Sequence, residues 1–221
     1  EEEPLYTSPP VLLLSLAVSL VNACVAMTEP MIPLFLSSPP FSYSTRDIGL
    51  VFSAQAGAYL VCTPVFGGMS DGVRGRTPYM VLGLFLCAGG MCIMLSTEKV
   101  GVTVAGLALV GAGIAAVDAP SVPLLTTLVR PGRFGEAMAL QDTAVNVGFL
   151  LGPLLATWCG EDVGSYKYVT FAAGLACVLY SPAMGVLWGA ERRAKERGGD
   201  DHDNDVDNDA EKGELLLDVT S

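Results

Sequence analysis

Six runs of mainly apolar residues, separated by short polar stretches, organise most of the 221 residues. They are Val11–Leu36, Ile48–Gly68, Pro78–Ser96, Gly101–Val129, Ala137–Trp158 and Tyr168–Gly189. A bilayer core needs about 20 such residues per helix, so each run is expected to cross a membrane once. The fourth run is long and carries Pro120 and Pro123, which should break its helix. The expected fold class is therefore an all-α membrane protein with six transmembrane helices over residues 11–189. Residues 1–10 form an acidic N-terminal segment, and residues 190–221 form an acidic tail expected to stay disordered.

Composition supports that division. Charged residues make up 16% of the chain and hydrophobic residues 51%, where a soluble domain carries about 25% charge. The net charge of −11 belongs to the ends. Glu1 to Glu3 contribute −3, and residues 190–221 contribute −6 from eleven acids and five bases. No basic footprint for nucleic acid is present. The chain opens on Glu1 with no initiator Met and no signal-peptide pattern, which points to a fragment, a processed product or a truncated gene model. Five of the six cysteines fall inside apolar runs and none forms a C-x-x-C pair, so they read as small packing residues.

Basic residues set the expected orientation. Arg74 and Arg76 follow the second span, Arg130 and Arg133 follow the fourth, and Arg192, Arg193, Lys195, Arg197 and Lys212 follow the sixth. Only Arg46, Lys99 and Lys167 lie on the other side. Both termini are therefore expected in the cytosol.

Three carboxyls interrupt the apolar runs: Glu29 in the first, Asp118 in the fourth and Asp142 in the fifth. No Lys, Arg or His lies within any run to neutralise them, and an ionised, unpaired carboxylate at bilayer depth costs a few kcal/mol. Pro30 and Pro33 beside Glu29, and Pro120 and Pro123 beside Asp118, each remove a backbone donor. They free carbonyls at membrane depth, as transporter sites do. Asn22 sits two turns before Glu29, Asn146 one turn beyond Asp142, and Gln55 and Tyr59 are four apart in the second run. Singly such residues are often interhelical glue; together with the acids they outline a polar, anionic cavity. A proton and a cation can each neutralise one carboxylate, and so they compete for it.

At these residues the chain resembles the vesicular amine transporters of the major facilitator superfamily. N-A-C-V-A-M-T-E-P-M-I-P is similar to that family's seventh helix, A-Y-L-V-C-T-P-V-F-G to its eighth, A-A-V-D-A-P to its tenth and A-L-Q-D-T-A-V-N-V-G-F-L-L-G-P to its eleventh. The resemblance implies that the six spans are the C-terminal bundle of a twelve-helix transporter, one half of the whole. It implies substrate contacts at Asn22, Glu29, Tyr59, Asp118, Asn146 and Phe149, the last a Phe where the family carries Tyr. Proton coupling falls to Glu29, Asp118 and Asp142. G-G-M-S-D-G-V-R-G-R resembles the superfamily's Gly–Asp–Gly–Arg loop, with one extra residue, and makes Asp71, Arg74 and Arg76 gating candidates. Gly148, Gly152 and Pro153 echo its antiporter motif, so Pro30, Pro33, Pro120, Pro123, Gly152 and Pro153 are hinge candidates.

The implied function is secondary active transport, a proton-coupled antiporter of organic cations resembling monoamines. Polyamine or multidrug export is the alternative within that class. A truncated, non-transporting six-helix protein or scaffold is the alternative outside it. Implied partners are a cationic small molecule, protons, lipid, and either a missing N-terminal six-helix half or a homodimeric copy. No cofactor is implied, and no nucleophile–base pair, metal cluster or phosphate loop suggests an enzyme. In the tail, Glu211, Leu215 and Leu216 resemble an acidic dileucine sorting signal, which implies a sorting adaptor and an acidic vesicle, endosome or vacuole.

Overall fold

The computed structural model describes residues 8–39, 41–72, 75–95, 99–129, 132–158 and 163–194. Arg74, Arg130 and Cys159 lie outside them, as does everything from Lys195 onward, including Glu211, Leu215 and Leu216.

Six long helices account for nearly all the described residues: α1 (Pro9–Ser37), α2 (Thr45–Ser70), α3 (Thr77–Leu95), α4 (Val100–Leu128), α5 (Phe134–Trp158) and α6 (Val163–Tyr180). After a 3₁₀ turn at Ser181–Ala183 the sixth span resumes as helix over 184–194. All six spans are long and apolar enough to cross a membrane, and among the described residues there is no strand.

Local chemistry explains where the helices begin. α1 starts at Pro9 because a proline in the first turn gives up no intrahelical bond. α2 starts at Thr45 on a capping box. The Asp47 amide donates to Ser44 Oγ at 3.4 Å, and the Ser44 amide donates back to Asp47 Oδ2 at 3.3 Å. Before α5, Arg133 forms a 2.6 Å ion pair with Glu136 in the first turn. The 3₁₀ turn in the last span falls at Pro182, which lacks a donor, and Ser181 Oγ donates to the Val178 carbonyl at 2.8 Å.

Two expectations are corrected. α1 and α4 are not broken at their prolines; each runs as one helix through Pro30 and Pro33, or through Pro120 and Pro123. A proline deletes a single donor, and neighbouring turns keep the helix continuous. Hydroxyls beside the gaps turn back onto the helix, with Ser121 Oγ donating to the Asp118 carbonyl at 2.8 Å and Thr126 Oγ1 to that of Pro123 at 2.8 Å. Residues 190–194, expected to open the disordered tail, instead continue the last helix, and Glu191 is buried. Its carboxylate finds backbone donors on α3, which offsets the cost of burial.

α4 is the centre of the bundle, packing on α3, α2 and α1, while α1 packs on α5 and α6. Lipid offers no hydrophobic drive between helices, so close backbone approach has to hold them. Small residues permit it. A Cβ added at Gly113 of α4 would fall 2.6 Å from Cys87 Sγ and 2.8 Å from the Gly83 carbonyl oxygen of α3. On the other side of the bundle, one at Gly152 of α5 would fall 2.6 Å from Ala26 Cβ and 2.7 Å from the Ala23 carbonyl oxygen of α1. Tyr180 ties the last span to α1 by donating to the Leu13 carbonyl at 2.6 Å.

Gly113→Val is expected to cost about 2–3 kcal/mol by overpacking against α3 backbone. Gly185→Ala, which meets nothing within 4 Å, should instead stabilise its helix by about 0.5–1 kcal/mol. Thermal unfolding of the detergent-solubilised protein distinguishes the two.

Candidate functional site

Between α1, α2, α4 and α5 lies a cavity of about 510 Å³. Helical periodicity explains which side chains reach it. α1 contributes Asn22, Val25 and Glu29, at steps of three and four. α2 contributes Phe52, Gln55, Ala56 and Tyr59; α4 contributes Ile114 and Asp118; α5 contributes Val145 and Phe149. Among the described residues, the lining has two carboxyls and no Lys, Arg or His.

Asp118 is the deeper acid. Its Oδ1 is buried with no hydrogen-bond partner, and the same is true of Gln55 Oε1. Asn22 faces Asp118 closely enough to interact electrostatically, while its own amide donates to the Val18 carbonyl at 2.8 Å. Tyr59 lies within electrostatic reach of Asp118 as well. Glu29 stands at a more open part of the wall and is exposed. Buried acceptors usually find donors inside the fold. Two without partners, Asp118 Oδ1 and Gln55 Oε1, are closed off from solvent on residues that line the cavity.

Six of the residues singled out from the sequence thus meet at one cavity: Asn22, Glu29, Gln55, Tyr59, Asp118 and Phe149. Asp142 and Asn146 are not among its lining. Asp142 is exposed, one turn before Val145 on the same side of α5, and Asn146 donates its amide to the Asp142 carbonyl at 2.7 Å. Asp71 pairs with Arg76 at 3.3 Å at the end of α2, remote in sequence from the cavity residues. Pro30 and Pro33 lie inside α1, Pro120 and Pro123 inside α4, and Pro153 inside α5. Gly152 lies at the α1–α5 contact.

Sequence reasoning missed the apolar walls, Val25, Phe52, Ile114 and Val145, because an apolar residue in an apolar run carries no signal of its own. It also missed a polar bridge. Gln141 Nε2 donates to Ser121 Oγ at 2.7 Å, and joins α5 to α4 one turn from Asp118. The available sign was the stripe Ala137, Gln141, Ala144 and Gly148, a buried face with one polar member.

Six apolar helices, four of them lining a carboxyl-bearing cavity, define a polytopic membrane protein with an internal polar site. A family model of the Major Facilitator Superfamily matches residues 14–212, and the chain belongs to that superfamily, a group of membrane transporters and not of enzymes. Among its relatives, the synaptic vesicular amine transporter of Bos taurus is 25% identical over 182 residues, which is 80% of this chain and 34% of that protein. The MFS-type transporter SLC18B1 of Rattus norvegicus is 26% identical over 200 residues, 83% of this chain and 43% of that protein. The crystal structure of the human organic anion transporter MFSD10 (TETRAN) matches with a TM-score of 0.66 at 20% identity, over 81% of this chain and 47% of that one. At that identity the likeness is one of fold. The chain spans less than half the length of each of these proteins.

Gln141→Leu, which removes the donor to Ser121 Oγ together with an unpaired buried oxygen, Gln141 Oε1, is expected to cost no more than about 1 kcal/mol. Asn146→Leu, whose amide bonds only its own helix, should stay within about 0.5 kcal/mol of the parent. Denaturation midpoints of the purified variants give the comparison.

Proposed function

We propose that this chain is the C-terminal six-helix half of a proton-coupled antiporter for organic cations of monoamine type. The observation that carries this reading is the lining of the cavity, which among the described residues holds two carboxyls, Glu29 and Asp118, and no basic side chain. A protonated amine brings a compensating charge, while the walls of Phe52, Ile114 and Phe149 suit an apolar or aromatic body. The relatives named as amine transporters support the same cargo class.

The chemistry of exchange follows from competition. A carboxylate that has released its proton attracts the cation, and a carboxyl that has regained it lets the cation go. Glu29 and Asp118 do this within the cavity. Asp142, exposed one turn beyond the α5 wall, relays protons between the cavity and one membrane face. An acidic lumen then drives cation accumulation, with both termini in the cytosol and the protein in an acidic vesicle, endosome or vacuole. The contact between Glu191, at the end of the last span, and the start of α3 supports one part of that orientation, since it brings two Arg-bearing ends together.

The opposing wall is the N-terminal half. α2 buries only Val51, Gln55 and Ser70 among its described residues, and α5 exposes a row that includes Val147, Leu150, Leu151 and Leu154. These faces flank the cavity, and the lengths of the relatives leave room for six further helices to cover them.

In proteoliposomes of the complete protein, an imposed pH gradient is expected to drive uptake of a labelled monoamine. Asp118→Asn should reduce that uptake by about tenfold or more, the worth of a charge-assisted contact. Uptake of organic anions in place of amines, or wild-type amine uptake in both Asp118→Asn and Glu29→Gln, would overturn the reading.

A further inference from the structure

Glu191 lies in the helical segment that follows the 3₁₀ turn, and it is 2% exposed. A carboxylate so withdrawn from water requires donors, and three reach it from one place. The Arg76 amide donates to Oε1 at 2.6 Å, and the Thr77 amide and Thr77 Oγ1 donate to Oε2 at 3.1 and 2.6 Å. All three belong to Arg76 and Thr77, the residue before α3 and its first residue, more than a hundred positions earlier in the chain.

Those donors are of a kind that helices always leave over. The first amides of a helix have no intrahelical acceptor, and the aligned peptide dipoles favour an anion beside them. Neither Gly75 nor Arg76 has a side-chain acceptor to cap α3 from its own strand of chain, so the cap comes from the last span. Gly75 makes room for it. At φ +84, a backbone shape that glycine adopts without strain, an added Cβ would lie 3.0 Å from Glu191 Oε1 and 3.2 Å from Cδ.

Arg76 is consequently held from two sides. Its guanidinium pairs with Asp71, the residue that ends α2, at 3.3 Å, while its backbone amide is bound to Glu191. Arg192, the next residue along, lies over the Trp188 ring at 4.3 Å. The carboxylate thus fixes the loop between α2 and α3 through the backbone, independently of the loop's own ion pair.

We propose that Glu191 is the positioning residue of the α2–α3 loop: it joins the start of α3 to the end of the last span, so that both move as one body and the Asp71–Arg76 pair keeps its place. The tie itself is independent of what the protein carries; its effect on turnover rests on the transport reading.

Hydrogen–deuterium exchange on the complete protein tests the tie. Glu191→Gln keeps the shape but turns one acceptor oxygen into a donor facing donors. Exchange in the peptide covering residues 76–80 is expected to quicken by about tenfold or more, with peptides from α1 and α4 unchanged. Thr77→Val should give a smaller acceleration and Thr77→Ser should restore wild-type exchange. The double variant Glu191→Gln/Thr77→Val should exchange no faster than Glu191→Gln alone, because both act on one contact. Wild-type exchange in both single variants, or additive effects in the double, would overturn the proposal.

Uptake kinetics separate positioning from mere stabilisation. Per folded molecule, Glu191→Gln is expected to lower turnover severalfold at unchanged KM for the amine. Loss of folded yield with wild-type turnover would reduce Glu191 to a structural contact and overturn the positioning role. Absence of uptake in the wild-type protein would count against the transport reading and leave the exchange result to decide the tie.

Discussion

Backbone contact at small residues is the constraint on which the rest of the bundle depends. Helices in lipid gain little from burying apolar surface against one another, because the lipid is as apolar as the side chains. What they gain comes from dispersion at close range and from polar groups that find partners. Gly113 against Gly83 draws α4 onto α3, and Gly152 against Ala26 draws α5 onto α1. Gly111 brings α4 onto the Gln55 backbone of α2 in the same way. The cavity is a product of this packing: it opens where the chain places Phe, Tyr, Asp and Glu side chains between helices that glycines hold close elsewhere.

The same packing decides which polar groups can be left unsatisfied. Gln141 and Ser121 sit at a close α4–α5 contact and bond each other. Asp118, one turn from Ser121 and part of the cavity lining, has one buried carboxylate oxygen without a partner. An unpaired buried acceptor is a standing cost, and the fold carries it at two residues of the cavity lining, Asp118 and Gln55, and away from the cavity at Gln141 Oε1. Functional sites are where such departures from internal satisfaction are expected.

Much of this was legible in the sequence, for identifiable reasons. Apolar runs longer than a bilayer is thick can hardly be anything but spans, and Glu29 and Asp118 stand out because an acid in such a run is expensive. Helix ends were less legible, since they depend on caps: Ser44 with Asp47 moved one start outward, and Pro9 moved another. Glu191 could not be read at all. Its local surroundings, with Arg192, Arg193, Lys195 and Glu196 following at once, have the composition of a solvated tail, and only α3 makes its burial affordable. Proline was over-read, because a missing donor predicts a gap in hydrogen bonding and not a break in the helix. Asp142 shows the limit of a charge seen without its neighbours: its place outside the lining depends on how α5 is rotated, and the Gly148 and Gly152 contacts with α1 set that rotation.

The fold alone is silent about the charge of a cargo. A bundle of this shape matches a protein titled an organic anion transporter, while relatives by sequence are named for amines. Function resides in the side chains grafted onto such a frame. In this chain an anion entering the cavity would meet Glu29 and Asp118 with no Lys, Arg or His among the described lining residues to receive it. Asn22 and Tyr59 can donate, but Asn22 already spends one donor on the Val18 carbonyl, and two acceptors stand unpaired. Whatever discriminates among cargoes must therefore come from the side chains of the lining, where two carboxyls stand, and not from the helical frame that both kinds of transporter share.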